Sequence, residues 1–158
     1  MTDYIFGMDI SRHQYDEGLK HKFDFVKAYR AGVRFCACRA TVGDYYTDPT
    51  LERNVKGAQD AGIVPLVYHV PAYHDGSANQ RKIKPADAIN RFLAAVAPYG
   101  IDDEAHVLDC EIVRGTRVQS GAQYKAEGVE LLKHIGGLTW YTNANIGDTV
   151  MVGFASFW

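Results

Sequence analysis

The chain has no apolar run approaching the roughly 20 residues that a membrane-spanning helix requires. It opens Met1-Thr2-Asp3-Tyr4-Ile5-Phe6, without the basic segment and long apolar core of a secretory leader. It is therefore read as made in the cytoplasm without a signal peptide. Charge of one sign is also missing. With 17 Lys and Arg against 19 Asp and Glu, the net charge is -2, which gives no electrostatic reason to expect nucleic acid. Cysteine is sparse, at three residues (Cys36, Cys38 and Cys110). Cys36 and Cys38 stand two apart in an apparent strand, a poor geometry for a mutual disulfide. No second pair follows to complete a zinc site. All three read as small buried hydrophobes in a reducing compartment. Neither an internal repeat nor a linker divides the chain. Its 158 residues, 47% hydrophobic and 23% charged, read as one globular domain over 1–158.

What is present is an alternation of strand-like and helix-like stretches. Tyr4–Ile10 reads as a first strand, and Phe23–Ala31 as a helix closed by Gly32. Val33–Ala40 follows as a second strand buried on both faces. After a loop holding Gly43 and Tyr45-Tyr46, Asp48-Pro49 reads as the N-cap and first residue of a helix running to Ala61. Ile63–Val70 is a third strand, and Pro85 opens a helix with Ala88, Ile89, Phe92, Leu93 and Val96 on its apolar stripe. Val107–Ile112 is a fourth strand, a helix follows near Gln123–Ile135, Leu138–Thr142 is a fifth strand, and Phe154–Trp158 a sixth apolar run. This order predicts right-handed βαβ units on a parallel sheet. Six strands are too few for a closed eight-stranded barrel, so the sheet is expected to be cut short or open at one edge.

Within the fourth strand, Asp109 and Glu111 stand at i and i+2 and so share a face. Two like charges side by side are costly, and each raises the other's pKa. Two readings follow: a strand end with one carboxylate capping a loop and one solvated, or an acid/base pair at the mouth of the sheet. Asp9 ends the first strand. Because sites in parallel α/β folds form at the C-terminal strand ends, Asp9, Asp109 and Glu111 are expected to converge.

The wording around these carboxylates is specific as an ordered set. It comprises Gly7-Met8-Asp9-Ile10-Ser11, Ala40-Thr41-x-Gly43 with Tyr46-x-Asp48-Pro49, Ala61-Gly62-Ile63 leading to Tyr68-His69, Leu108-Asp109-x-Glu111, and Tyr141-Thr142-Asn143. Together they resemble the family 25 glycoside hydrolases, the muramidase-type lysozymes common among phage endolysins, over essentially the whole chain. The resemblance implies an irregular TIM-like β/α barrel, incomplete at its C-terminal end. It implies hydrolysis of the β-1,4 bond between N-acetylmuramic acid and N-acetylglucosamine in peptidoglycan, with net retention and no cofactor. Residue by residue, Glu111 would be the general acid, Asp109 its partner, and Asp9 the aspartate of the N-terminal motif. Tyr68 and Tyr141 would line the sugar site, with Tyr46 and His69 beside them.

Three departures from the family pattern stand out. The family usually places an aromatic residue near His13 and a Glu where Val42 stands. It also continues through strands that supply a late acidic residue, whereas here Ser156 lies near the end of the chain. Two other readings compete with the hydrolase. One is a glycan-binding relic of the same fold. The other is a metal-dependent carbohydrate deacetylase using His69, His74 and Asp9, although the spacing of the two histidines is not that of a helical ligand pair. The expected partner is the peptidoglycan glycan strand, reached through a phage holin or on lysis.

Overall fold

The structure is a computed structural model. It describes residues 5–16, 18–20, 22–71, 83–110, 121–135 and 139–142, with the side chains of 121–124 and 139–142 excepted. Six strands and four helices alternate along it: β1 (Phe6–Ile10), α1 (Phe25–Arg30), β2 (Val33–Val42), β3 (Tyr46–Thr47), α2 (Leu51–Asp60), β4 (Val64–Val70), α3 (Pro85–Val96), β5 (His106–Cys110), α4 (Gly121–Leu131) and β6 (Thr139–Thr142). The sheet order is β1-β2-β4-β5-β6, every neighbouring pair along it is parallel, and β3 folds back antiparallel on the end of β2. Sequential order in a parallel α/β sheet is the order of a TIM-like barrel. Among the described residues the barrel is not closed.

Local chemistry explains the element ends. Asp24 caps α1 by accepting from the Lys27 backbone N–H at 2.8 Å. Gly62, at φ +76°, ends α2 in the left-handed region, and the Ile63 N–H returns to the Ala58 carbonyl at 2.9 Å. Gly7 is needed for a different reason. A Cβ there would lie 2.0 Å from the Phe35 ring, which covers the β1 backbone.

Alternation along the strands sorts side chains between two faces. One face meets the helices. There Ile10, Cys36, Cys38, Ala40 and Val67 pack with Leu51 and Val55 of α2, Ile89 and Phe92 of α3, and Leu131 of α4. Phe92, fully buried, makes an edge contact with the His106 ring and a tilted one with His69. The opposite, inner face holds a smaller cluster of Val42, Tyr68, Val70 and Val107, flanked by Ala37, Tyr46 and Leu66. The three cysteines are free and buried, as their place in core strands predicts.

Expectation and structure differ at two places. Tyr46 belongs to β3 rather than to a loop. The N-cap of α2 is Thr50, not Asp48, because the Asp48 carboxylate is committed elsewhere. The last strand-like run, 154–158, lies outside the described residues, as does His74.

Candidate active site

The inner face is polar at the C-terminal ends of the strands. Asp9 is the last residue but one of β1, while Ile10, next to it, is buried on the helix side. Asp9 therefore points inward. On β5, Val107 belongs to the inner cluster, so Asp109, two residues on, faces the same way and is half-buried. Tyr68, buried on β4, lies between them on this face, where the charges of both Asp9 and Asp109 act on its phenol. Burial first, and then the charge of Asp9, push the Tyr68 phenol well above its ordinary range, so it remains a proton donor.

A fourth group completes this face. The β2 ladder slips by one residue between Arg39 and Thr41: Arg39 stands opposite Tyr68, and Thr41 opposite His69. The bulge leaves Arg39 on the inner face and turns Ala40 and Thr41 towards the helices. The Arg39 guanidinium, only slightly exposed, donates from Nε to Asp48 Oδ2 at 2.8 Å and lies 5.5 Å from the Tyr46 ring centre. Asp48 also accepts from the Thr50 backbone N–H at 2.9 Å, the Thr50 hydroxyl at 2.7 Å and the Arg12 backbone N–H at 3.1 Å. Burial alone would raise the Asp48 carboxyl. The bonds from Thr50, Arg12 and Arg39 outweigh it and hold the group below the ordinary carboxylate range.

Of the expected site residues, Asp9, Asp109, Tyr68 and Tyr46 come together on this face. Tyr46 is half-buried beneath Arg39, and its hydroxyl is buried without a hydrogen bond among the described residues. Tyr141 stands opposite Asp109 in the β5–β6 ladder. Glu111 lies outside the described residues, one position beyond the end of β5.

His69, expected beside the sugar site, is not brought to it. It follows Tyr68 on a strand and so faces the helices, where it is fully buried. Both ring nitrogens are engaged, Nδ1 with the Thr41 hydroxyl at 2.7 Å and Nε2 with Glu127 of α4 at 3.0 Å. The His69–Asp9 metal site fails for the same reason: its two ligands lie on opposite faces of the sheet.

Arg39 and Asp48 are the site residues that sequence reasoning passed over. The signal was there. If Cys36 and Cys38 face the core, then Ala37 and Arg39 face the other way, with Asp9.

Comparison with known proteins agrees with this geometry. The family model described as glycosyl hydrolases family 25 matches residues 8–157. No curated protein matches the chain in sequence. Among solved structures, a bacterial lysozyme from Streptomyces coelicolor superposes with a TM-score of 0.71 at 20% identity, covering 96% of this chain and 69% of its own. A family GH25 lysozyme from Aspergillus fumigatus gives 0.68 at 23% identity, covering 92% of this chain and 68% of its own. The catalytic domain of an endolysin from a Listeria monocytogenes bacteriophage gives 0.65 at 18% identity, covering 94% and 68%. At these identities the structural likeness establishes the fold, an incomplete TIM-like α/β sheet. The match of the family model along nearly the whole sequence settles membership: the chain belongs to glycosyl hydrolases family 25.

Proposed function

We propose that this chain is a peptidoglycan hydrolase of the muramidase type, cleaving the β-1,4 bond between N-acetylmuramic acid and N-acetylglucosamine. One observation carries the reading: Asp9, Tyr68 and Asp109 share the inner face at the C-terminal strand ends, with Asp109 on the strand that runs towards Glu111. Family membership supplies the reaction class.

In this reading Glu111 is the general acid that protonates the leaving oxygen. The neighbouring Asp109 carboxylate keeps it protonated near neutral pH, since adjacent like charges resist joint ionisation. Asp109 and Asp9 then supply negative charge for the oxocarbenium-like transition state. Tyr68, beside Asp9, offers its hydroxyl to that carboxylate and presents a ring edge to the sugar. Tyr46 and Tyr141 extend the aromatic lining. The second half of the reaction proceeds with net retention, through the substrate's own N-acetyl oxygen rather than a protein nucleophile. The product is a glycan fragment ending in reducing muramic acid, and the place of action is the bacterial cell wall, reached by lysis or through a holin.

The experiment is release of reducing sugar from purified peptidoglycan by the parent and by Glu111→Gln, with mass spectrometry of the products. Muramic-acid reducing ends from the parent, with a rate lower by on the order of 10²–10⁴ in the variant, are the expected result. Wall binding without cleavage by either protein would instead make the chain a glycan-binding relic.

A further inference from the structure

The inner face gathers carboxylates, and charge of one sign on a shared, partly dry surface is unfavourable unless something offsets it. Asp9 and Asp109 both act on the Tyr68 ring. Among the described residues, the cation facing them is Arg39. The β2 bulge fixes its place: Arg39 is the ladder partner of Tyr68, and it lies two residues beyond Ala37, the ladder partner of Asp9. Arg39 and Asp9 are thus diagonal neighbours on adjacent strands, within reach of a long side chain. Asp48 holds the guanidinium there. Its carboxylate is itself pinned by Thr50 at Oδ1 and by the Arg12 backbone N–H at Oδ2, the oxygen it shares with Arg39. The Tyr46 ring lies beneath the same guanidinium. The arrangement is a braced cation beside Tyr68 and Asp9, built from separate parts of the chain.

We propose that Arg39 is a positioning residue of the site: a cation, anchored by Asp48, that keeps Asp9 ionised beside Tyr68 across the pH range in which the acid must stay protonated. The proposal rests on the muramidase reading for its purpose, but not for its physics. Among the described residues, the groups on the same face as Asp9 are Arg39 from β2, Tyr68 from β4 and Asp109 from β5, with Asp48 and Tyr46 behind Arg39 and Cys38 on the reverse side of β2. Of these, Arg39 is the one whose charge favours the carboxylate form. The effect is strong because the guanidinium is largely withdrawn from water.

The test is a carbon-13 NMR titration of the Asp9 side-chain carboxyl in the parent, Arg39→Lys, Asp48→Asn, and the double variant Arg39→Gln with Asp48→Asn. The double variant removes the cation without stranding a buried Asp48 charge, which guards against simple unfolding. It should raise the Asp9 midpoint by roughly one pH unit or more, the usual size of a neighbouring guanidinium's effect. Arg39→Lys should restore most of that shift, and Asp48→Asn alone should not raise the midpoint. An unchanged Asp9 midpoint in the folded double variant would overturn the proposal. So would an equal rise in Arg39→Lys, because shape rather than charge would then be responsible.

The titration needs no turnover, so its failure is separate from failure of the muramidase reading, which the cleavage assay decides. If the parent cleaves, the same variant should move both limbs of the pH–rate profile upward, whereas a purely structural Arg39 would lower the rate without moving them.

Discussion

Tyr68 and His69 are consecutive residues on one strand, and they serve opposite sides of the molecule. Tyr68 faces inward, beside Asp9 in a polar mouth shared with Arg39 and Asp109. His69 faces outward, tying β2 to α4 through Thr41 and Glu127 against the ring of Phe92. The inner face gathers carboxylates at the strand ends and is organised for chemistry. The outer face buries its polar groups only where each finds a bond, and is organised for stability. A change of one position along β4 therefore moves a side chain from one purpose to the other. Damage to the two faces should accordingly appear in different measurements.

The largest separation should come from Phe92→Ala. It empties the middle of the helix-side core and should lower unfolding free energy by about 3–5 kcal/mol. Chemical denaturation reads that loss, and the cleavage rate per folded molecule should stay near the parent's. His69→Ala should act in the same direction, by about 1–3 kcal/mol for each buried group that loses its bond. Retention of parental stability would mean that the Thr41–His69–Glu127 chain contributes little.

Tyr68→Phe should do the reverse. It removes the hydroxyl on which the Asp9 and Asp109 charges act, so activity should fall roughly ten- to hundredfold. The melting temperature should change little, because the ring and its packing remain. If Tyr68→Phe lost stability in proportion to rate, the distinction between the faces would blur.

The smallest effect concerns acid. Asp48 is held below its ordinary value of 3.8 in the folded chain. A depressed carboxylate stabilises the fold above its unfolded value and loses that contribution as pH falls through the folded one. Asp48→Asn should therefore cost stability at neutral pH, and the gap from the parent should close in acid. Thermal melting across the carboxylate range reads this, and a constant gap would contradict it.

The strand and helix order was legible because the apolar stretches are long and bounded by glycine or proline. Asp9 and Asp109 were legible because strand alternation and strand-end position place them without any long-range information. His69 was misassigned because the Tyr68-His69 pair was read as one unit, although period-two alternation separates the two. Arg39 was passed over although alternation from Cys36 and Cys38 places it on the face of Asp9; the bulge at Ala40, which sequence alternation does not announce, reverses only the faces after it. Asp48 looked like a helix cap because Asp before Pro usually is one. Its true partners, Arg12 and Arg39, are brought to it only by the fold. The two-residue β3 was too short to show any period.

The most direct test of the account compares the two faces in one assay: initial release of reducing ends from peptidoglycan, per folded molecule, by the parent, Asp9→Asn and His69→Gln. Asp9→Asn should lose activity by on the order of 10²-fold or more, as removal of a preorganised charge at a reacting centre does. His69→Gln should keep the parental rate while melting earlier. If Asp9→Asn cleaved like the parent, or His69→Gln folded normally and lost the reaction, the assignment of chemistry to the inner face would be contradicted.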